Sequence, residues 1–372
     1  MKTILFLIQK ELLQILRNKT MLPIIFIVPI VQLLILVHAA TLEMKNIDMY
    51  IVDKDLSSTS RGIVQKFESS PFYHINHHSF SMQDAENELK KGNIDIILHI
   101  PYGFESELIK GNDSGLQLLI DAINGTAAGL IQSYTQAVLA DYNRNIMLKW
   151  TSPVIKEKPL SIEITHSFWY NPELNYQTYM VPGILVLLVT LIGMILTSLN
   201  LVREKELGTA EQINVTPIRK YHFITGKLFP FWIIALFELA FGLLIGKLIF
   251  DIPIVGNLGL LFLFAAVYLF AILGAGLFFS TLASTQQQVM FINFFFMLLF
   301  ILMSGLFTPV ETMPDWARVI NIANPMAYFM RVNRMILLKG SGFYDILPEF
   351  VSVSIYALII LSLAVWRYRK TV

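Results

Sequence analysis

The chain has 372 residues, 28 Lys and Arg against 27 Asp and Glu, a formal net charge of +1, and no cysteine. A mean hydropathy of +0.59 with 55% hydrophobic residues argues against a large soluble core and for a bilayer. The balanced charge excludes an overall field for nucleic acid, and the missing cysteines exclude disulfides, thiol catalysis and thiolate metal sites.

Residues 1–20 read as an amphipathic helix in the membrane interface. Leu5, Ile8, Leu12, Ile15 and Leu16 recur at helical spacing, Lys10, Gln14, Arg17 and Asn18 gather opposite, and Gln9 breaks the pattern on the apolar side. Residues 21–40 form a first span, and Lys2, Lys10, Arg17 and Lys19 ahead of it place the N-terminus in the cytoplasm. A cleaved signal peptide ending near Val37-His38-Ala39 is the rival, opposed by the long charged leader and by Pro23 and Pro29 within the run.

Residues 41–175 change character. Asp48–Val52, Ile94–Ile100 and Leu116–Ile120 have the pattern of buried strands, and Ser57–Glu68, Gln83–Lys91, Gly103–Lys110 and Thr126–Leu148 that of helices. Alternation at this spacing predicts an inserted α/β domain, placed outside the cytoplasm by the single span before it. Within it, His74, His77 and His78 fall along a predicted strand edge and read as solvent-exposed rather than metal-binding, and Asp53-x-Asp55 reads as a turn after a strand. Asp121 with Asn124-Gly125 reads as a turn leading to a helix cap.

Residues 176–366 hold the remaining spans, with Trp169, Tyr170, Tyr176 and Tyr179 at the point of re-entry as interfacial rings. The second and third flank a charged segment, 201–227. Arg203, Glu204, Lys205 and Glu206 carry one helix out into water, and Gly208 ends it. Thr209 and Gln212 form a capping box for a short helix whose first turn contains Glu211, and Thr216-Pro217 stops it. A short helix held between two spans predicts an element through which a partner can push on both; the alternative is a solvated hairpin. The fourth span covers Leu258–Leu282, the fifth about Val289–Phe307 and the sixth Leu347–Val365. Between the last two, 308–339 is interrupted by Pro309, Pro314 and Pro325 yet keeps helical patterning around Trp316, which predicts two short helices dipping into the outer face. Arg318, Arg331, Arg334 and Lys339 there run against positive-inside counting, whereas Arg367, Arg369 and Lys370 put the tail, 367–372, in the cytoplasm. The expectation is an α-helical integral membrane protein with six transmembrane helices, both termini cytoplasmic, and an inserted extracytoplasmic α/β domain.

The ordered series Asn171-Pro172-Glu173, Tyr179-Met180-Val181-Pro182-Gly183, Arg203-Glu204-Lys205-Glu206-x-Gly208-Thr209-x-Glu211-Gln212, Thr216-Pro217-Ile218-Arg219 and Gly226-Lys227-Leu228-x-Pro230 resembles the permease subunit of type-two ATP-binding-cassette exporters. The similar branch carries a large extracytoplasmic domain after its first transmembrane helix. The resemblance implies an elbow helix at residues 1–20 and a re-entrant segment carrying Pro309, Pro314, Trp316 and Pro325. It also implies a bilayer location in a bacterial inner membrane and two separate ATPase subunits, which bind ATP and magnesium and dock on the 201–227 segments of two permeases, identical or sibling. It is compatible with a periplasmic adaptor on the outer domain. Arg203, Glu204, Glu206, Gly208, Thr209, Glu211, Gln212, Pro217, Gly226 and Lys227 are the candidate coupling residues.

The residues allow no ATPase site in this chain: there is no G-x-x-x-x-G-K-[ST], since Leu228 follows Gly226-Lys227. No catalytic constellation, metal site or bound cofactor is expected. Glu238, the one acid deep in a span, and Asn293 are candidates for the path or gate, against a structural role in helix packing shared with Gln32, His38 and Asn200. The functional expectation is multidrug-type export of an amphipathic or hydrophobic solute. The alternative is a membrane-anchored receptor or envelope-assembly factor acting through the outer domain; an intramembrane hydrolase lacks a nucleophile and base.

Overall fold

The structure is a computed structural model that describes residues 2–18, 21–39, 46–110, 115–150, 169–172, 175–209 and 220–368. The chain divides into two compact units, Leu42–His166 and the remainder.

In the first unit four strands, β1 (Ile47–Asp53), β2 (Tyr73–Ser79), β3 (Ile96–Ile100) and β4 (Gln117–Ile120), form one sheet in the order β2-β1-β3-β4. β1 runs parallel to β2 and β3, and β4 runs antiparallel to β3. The central strands are apolar on both faces because both are covered. Met49, Ile51, Ile96 and Leu98 meet Ile63, Phe67 and Ile131 on one side, while Tyr50, Val52 and Ile97 meet Ala85 on the other. The helices are α3 (Ser58–Glu68), α4 (Met82–Lys91), α5 (Phe104–Ile109) and α6 (Gly125–Trp150). Ser57 and Ser81 cap α3 and α4 through their side chains, and Gly92, at φ +73°, closes α4 in the left-handed conformation that costs glycine least. β2 is the strand edge expected to carry the three histidines, although the sequence pattern does not mark its bounds. As an edge strand with an exposed face it carries Tyr73 inward and three histidines mostly outward, so its alternation is hidden among polar residues.

The second unit is helical. Its helices are α1 (Lys2–Arg17), α2 (Met21–Ala39), α7 (Tyr176–Glu206), α8 (Lys220–Phe250), α9 (Leu258–Leu282), α10 (Gln286–Met303), α11 (Asp315–Asn321), α12 (Pro325–Lys339) and α13 (Leu347–Arg367). Five of these, α7, α8, α9, α10 and α13, are long and apolar enough to cross a membrane; α2 holds a shorter apolar stretch, Ile25–Ala39. α7 is the axis of the bundle: 89% of its apolar window is buried, against 17% for α10 and 22% for α13, whose exposed apolar faces suit lipid.

The proline-broken segment forms a single 3-10 turn, Val310–Thr312, then α11 and α12. Pro309 and Pro314 precede the turn and α11 with extended ψ, and Pro325 opens α12 at the position where a missing N–H costs nothing. Asn324 caps α12 at Met326 N, 3.0 Å. The four cations that opposed positive-inside counting are all held locally. Arg318 meets Asp315 at 2.9 Å, Arg331 meets Glu349 at 3.2 Å, and Lys339 lies 5.8 Å from the Tyr170 ring centroid. Arg334 donates to the Gly305 carbonyl at 2.9 Å and to that of Tyr179 at 3.3 Å, with its guanidinium 3.7 Å from the Tyr179 ring centroid.

Candidate functional site

α7 ends where four consecutive charged residues meet four different environments. Successive helical positions turn by about 100°, so neighbours in sequence cannot share a face. Arg203 is exposed. Glu204 turns inward and is 5% exposed, so it does not carry the helix into water as its charge suggested. Lys205 reaches the end of α9, where its ammonium donates to the carbonyls of Ser280 and, at 3.3 Å, Ala283. Glu206 reaches the start of α10, accepting from Gln286 N at 2.7 Å and from the Gln286 side-chain amide. A cation on a helix C-terminus and a carboxylate on an N-terminus both complement the helix dipole and satisfy backbone groups that have no partner within the helix.

Glu204 belongs to a buried ion cluster centred on Lys227, which is 2% exposed. The Lys227 ammonium donates to Glu204 and, at 3.0 Å, to Asn200 Oδ1, and forms an ion pair with Glu11 Oε1 at 2.6 Å. Half-exposed Lys10 stands 3.5 Å from Glu11 and 3.3 Å from Glu204, so two cations face two carboxylates. Burying charge costs least when it is paired, and here Glu11 is held by ion pairing, neither of its oxygens accepting a hydrogen bond among the described residues.

Glu11 is the residue that sequence reasoning missed. Leu7, Glu11 and Ile15, spaced by four, form the buried stripe of α1, while Leu5 and Leu16, expected on the apolar side, are 69% and 57% exposed. The helix therefore has one face for protein and another, apolar and outward, suited to lipid. The signal was present as an acid flanked by apolar residues at i−4 and i+4. Gly226 lets α1 approach: a Cβ there would lie 2.7 Å from Leu7 Cβ. The adjacent pair Gly226-Lys227 thus first admits α1 and then anchors it. Lys220 donates to the Tyr368 carbonyl at 3.2 Å and Phe223 stacks on the Tyr368 ring, which ties α8 to the end of α13.

Gly208 ends α7 at φ +70°. The Thr209 hydroxyl donates back to the Glu204 carbonyl at 3.2 Å, closing the old helix. Glu211, Gln212 and Pro217 lie outside the described residues, as do Glu173, Arg369 and Lys370.

The remaining candidates lie elsewhere. Asn293 on α10 is fully buried and donates its amide to Ser198 of α7. Glu238 on α8 faces α2 and α7 in an apolar cleft. Trp316 is 68% exposed on α11. In the α/β unit, Asp53 Oδ1 accepts from the backbone of Asp55 at 2.9 Å and Leu56 at 3.1 Å, the local turn expected of it. Among the described residues no group of three or more His, Cys, Asp and Glu is placed to hold a metal ion.

The profile of the ABC-2 family transporter proteins matches residues 19–366. The chain is 32% identical over 337 residues, 90% of each chain, to the probable multidrug ABC transporter permease YbhR of Escherichia coli K12. It is 25% identical over 325 residues, 87% of this chain and 85% of the relative, to the inner membrane transport permease YhhJ of the same strain. It is 21% identical over 370 residues to ABC transporter G family member 20 of Dictyostelium discoideum, covering 96% of this chain and 49% of that longer protein.

Proposed function

The chain belongs to the ABC-2 family of transporter proteins, and from that premise we propose that it is the permease subunit of an ATP-driven exporter in a bacterial cytoplasmic membrane. In this reading α2, α7, α8, α9, α10 and α13 are the spans, residues 41–175 lie outside the cytoplasm, and a second permease completes the path. Separate ATPase subunits bind ATP and magnesium and dock on the segment after Gly208. An amphipathic or hydrophobic solute is the cargo, a class supported by the name of the multidrug-type relative.

One observation carries the mechanism. The end of α7 and the start of α8 hold α1, α9, α10 and α13 through Glu204, Lys205, Glu206, Lys220 and Lys227. A push on the segment joining α7 to α8 therefore reaches every helix tied to this knot, because paired buried charges and capped helix ends resist separate movement. A short surface helix alone would not need such ties.

The test is affinity purification of the full chain from native membranes, followed by transport into inside-out vesicles. An ATP-binding-cassette ATPase should co-purify, and solute uptake should require hydrolysable ATP. Purification without an ATPase, together with export indifferent to ATP, would overturn the reading.

A further inference from the structure

Along α1, Phe6, Gln9, Lys10, Leu13, Gln14 and Arg17 line one shallow groove. Spacings of three and four keep them on one side of the helix, apart from the Leu7, Glu11 and Ile15 stripe that is buried against protein. Phe6 is 69% and Leu13 44% exposed, and Gln9, Gln14 and Arg17 are exposed as well. The polar members are two cations and two amides, so every one can donate a hydrogen bond and none is acidic. Donors interleaved with bare apolar side chains suit an amphiphile with an anionic head.

The charge count sets the head group. Lys10 and Lys227 face Glu11 and Glu204, so the buried cluster is neutral with Lys10 included. Arg17 is the surplus: among the described residues no carboxylate pairs with it. One monovalent anion therefore balances the site. Lys10 stands seven residues before Arg17 on α1, about 10 Å along the axis. A phosphodiester can bridge that gap when both long side chains lean toward it, and Gln14 lies between them with an amide to donate. Depth agrees with charge. Only eight residues separate Arg17 from Ile25, where the apolar stretch of α2 begins, so its guanidinium stands beside the polar layer of a bilayer, about 5–7 Å thick on each side.

We infer that this side of α1 is a binding site for an anionic phospholipid, with the phosphodiester between Lys10 and Arg17 and the acyl chains against Phe6 and Leu13. A zwitterionic lipid is disfavoured, because its ammonium meets the same two cations. Arg17, the unbalanced charge, favours the anionic lipid about fivefold, the factor typical of one cation near an anionic surface. Since Lys10 also borders Glu204, the bound lipid adjoins the knot at the end of α7. Binding requires a bilayer but no ATPase, so its failure is separable from failure of the exporter reading.

The full chain carrying Leu16→Cys, its only thiol, is labelled with bimane at that exposed position and placed in phosphatidylcholine nanodiscs. Rising fractions of brominated phosphatidylglycerol or brominated phosphatidylcholine quench the label according to the lipid held beside α1, and the two curves give a relative association constant. It should favour phosphatidylglycerol about fivefold, fall to within about twofold of parity when Arg17→Gln is added, and persist with Arg17→Lys. Thermal unfolding in the same discs establishes that each variant folds. In the parent alone, raising salt should weaken the preference, whereas millimolar inorganic phosphate should leave it as chloride of equal ionic strength does, because the acyl chains are part of the ligand. Equal association of the two lipids with the parent would overturn the inference and leave this side of α1 to a protein partner. So would a preference indifferent to salt, one unchanged in folded Arg17→Gln, one lost in folded Arg17→Lys, or displacement by inorganic phosphate.

Discussion

Replacing Lys227 by Met removes the ammonium at the centre of the buried cluster while keeping most of the side-chain volume. The two carboxylate oxygens it bridges, on Glu11 and Glu204, each lie within 2.6 Å of Nζ, so they are no more than about 5 Å apart. At an effective dielectric of about 20, two unit charges at that distance repel by about 3 kcal/mol. The measured loss on breaking a buried pair from one side is about 3–5 kcal/mol. Lys10 moderates the loss only in part, because its side chain is 40% exposed and water screens it. Lys227→Met should therefore lower stability by about 3 kcal/mol, whereas Lys227→Met with Glu11→Gln and Glu204→Gln should return to within about 1 kcal/mol of the parent, since no fully buried charge is then left unpaired and Lys10, which loses both carboxylates, is half-exposed to water. Reversible denaturant unfolding in mixed micelles, followed by tryptophan fluorescence, reads both. A single variant as stable as the parent, or a triple variant less stable than the single, would refute the cluster as a paired, net-neutral lock.

Three further outcomes are expected. Gly226→Val should force α1 off α8 through its contact with Leu7; because the chain has no cysteine, an Ile15→Cys reporter, buried in the parent, should then react with maleimide at least tenfold faster, and unchanged labelling would count against the packing. Lys205→Gln and Glu206→Gln should each cost about 0.5–1 kcal/mol of stability as helix-end contacts but together lower ATP-dependent export severalfold, measured as initial uptake by inside-out vesicles; full transport by the double variant would show that these ties carry no force. In the α/β unit, hydrogen bonds from Ser58 and Thr59, at 2.6 Å from each hydroxyl, hold the Glu105 carboxyl below the usual carboxylate range. A depressed value in the folded state means that this contribution is complete above the unfolded carboxylate value, about 4.3, and is lost as pH falls through the folded one. Hydrogen exchange at the Thr59 amide should accelerate below that pH relative to Glu105→Gln, and parallel pH profiles would contradict it.

A feature of this fold was legible in the sequence according to the range over which its signal acts. The long apolar runs of α7, α8, α9, α10 and α13 were legible because spanning requires about five turns of predominantly apolar residues, a condition set largely by composition. The central strands of the α/β unit were legible for a related reason: burial on both faces leaves an unbroken apolar run. β2 was legible only as a strand edge carrying histidines, without bounds, because its inward residues are interleaved with polar ones. Neither the family nor the relatives support the receptor alternative, which was open only while the transmembrane helices were read as anchors.

At the candidate site the division is sharper. Gly208 as a helix terminator and Asp53 as a turn former are local matters, decided by one residue's φ or by its own next two amides, and the sequence was sufficient for both. That Glu204 is buried while Arg203 is exposed depended on which helices stand around α7, and that Glu11 should complete the pair depended on an approach between α1 and α8 across more than two hundred residues. Hydropathy and periodicity report the average environment of a helix face. Charge pairing depends on the positions of two side chains a few ångströms apart, so the chain by itself determined what would be buried in lipid or protein, and only the packed helices decided which charges could be buried with it.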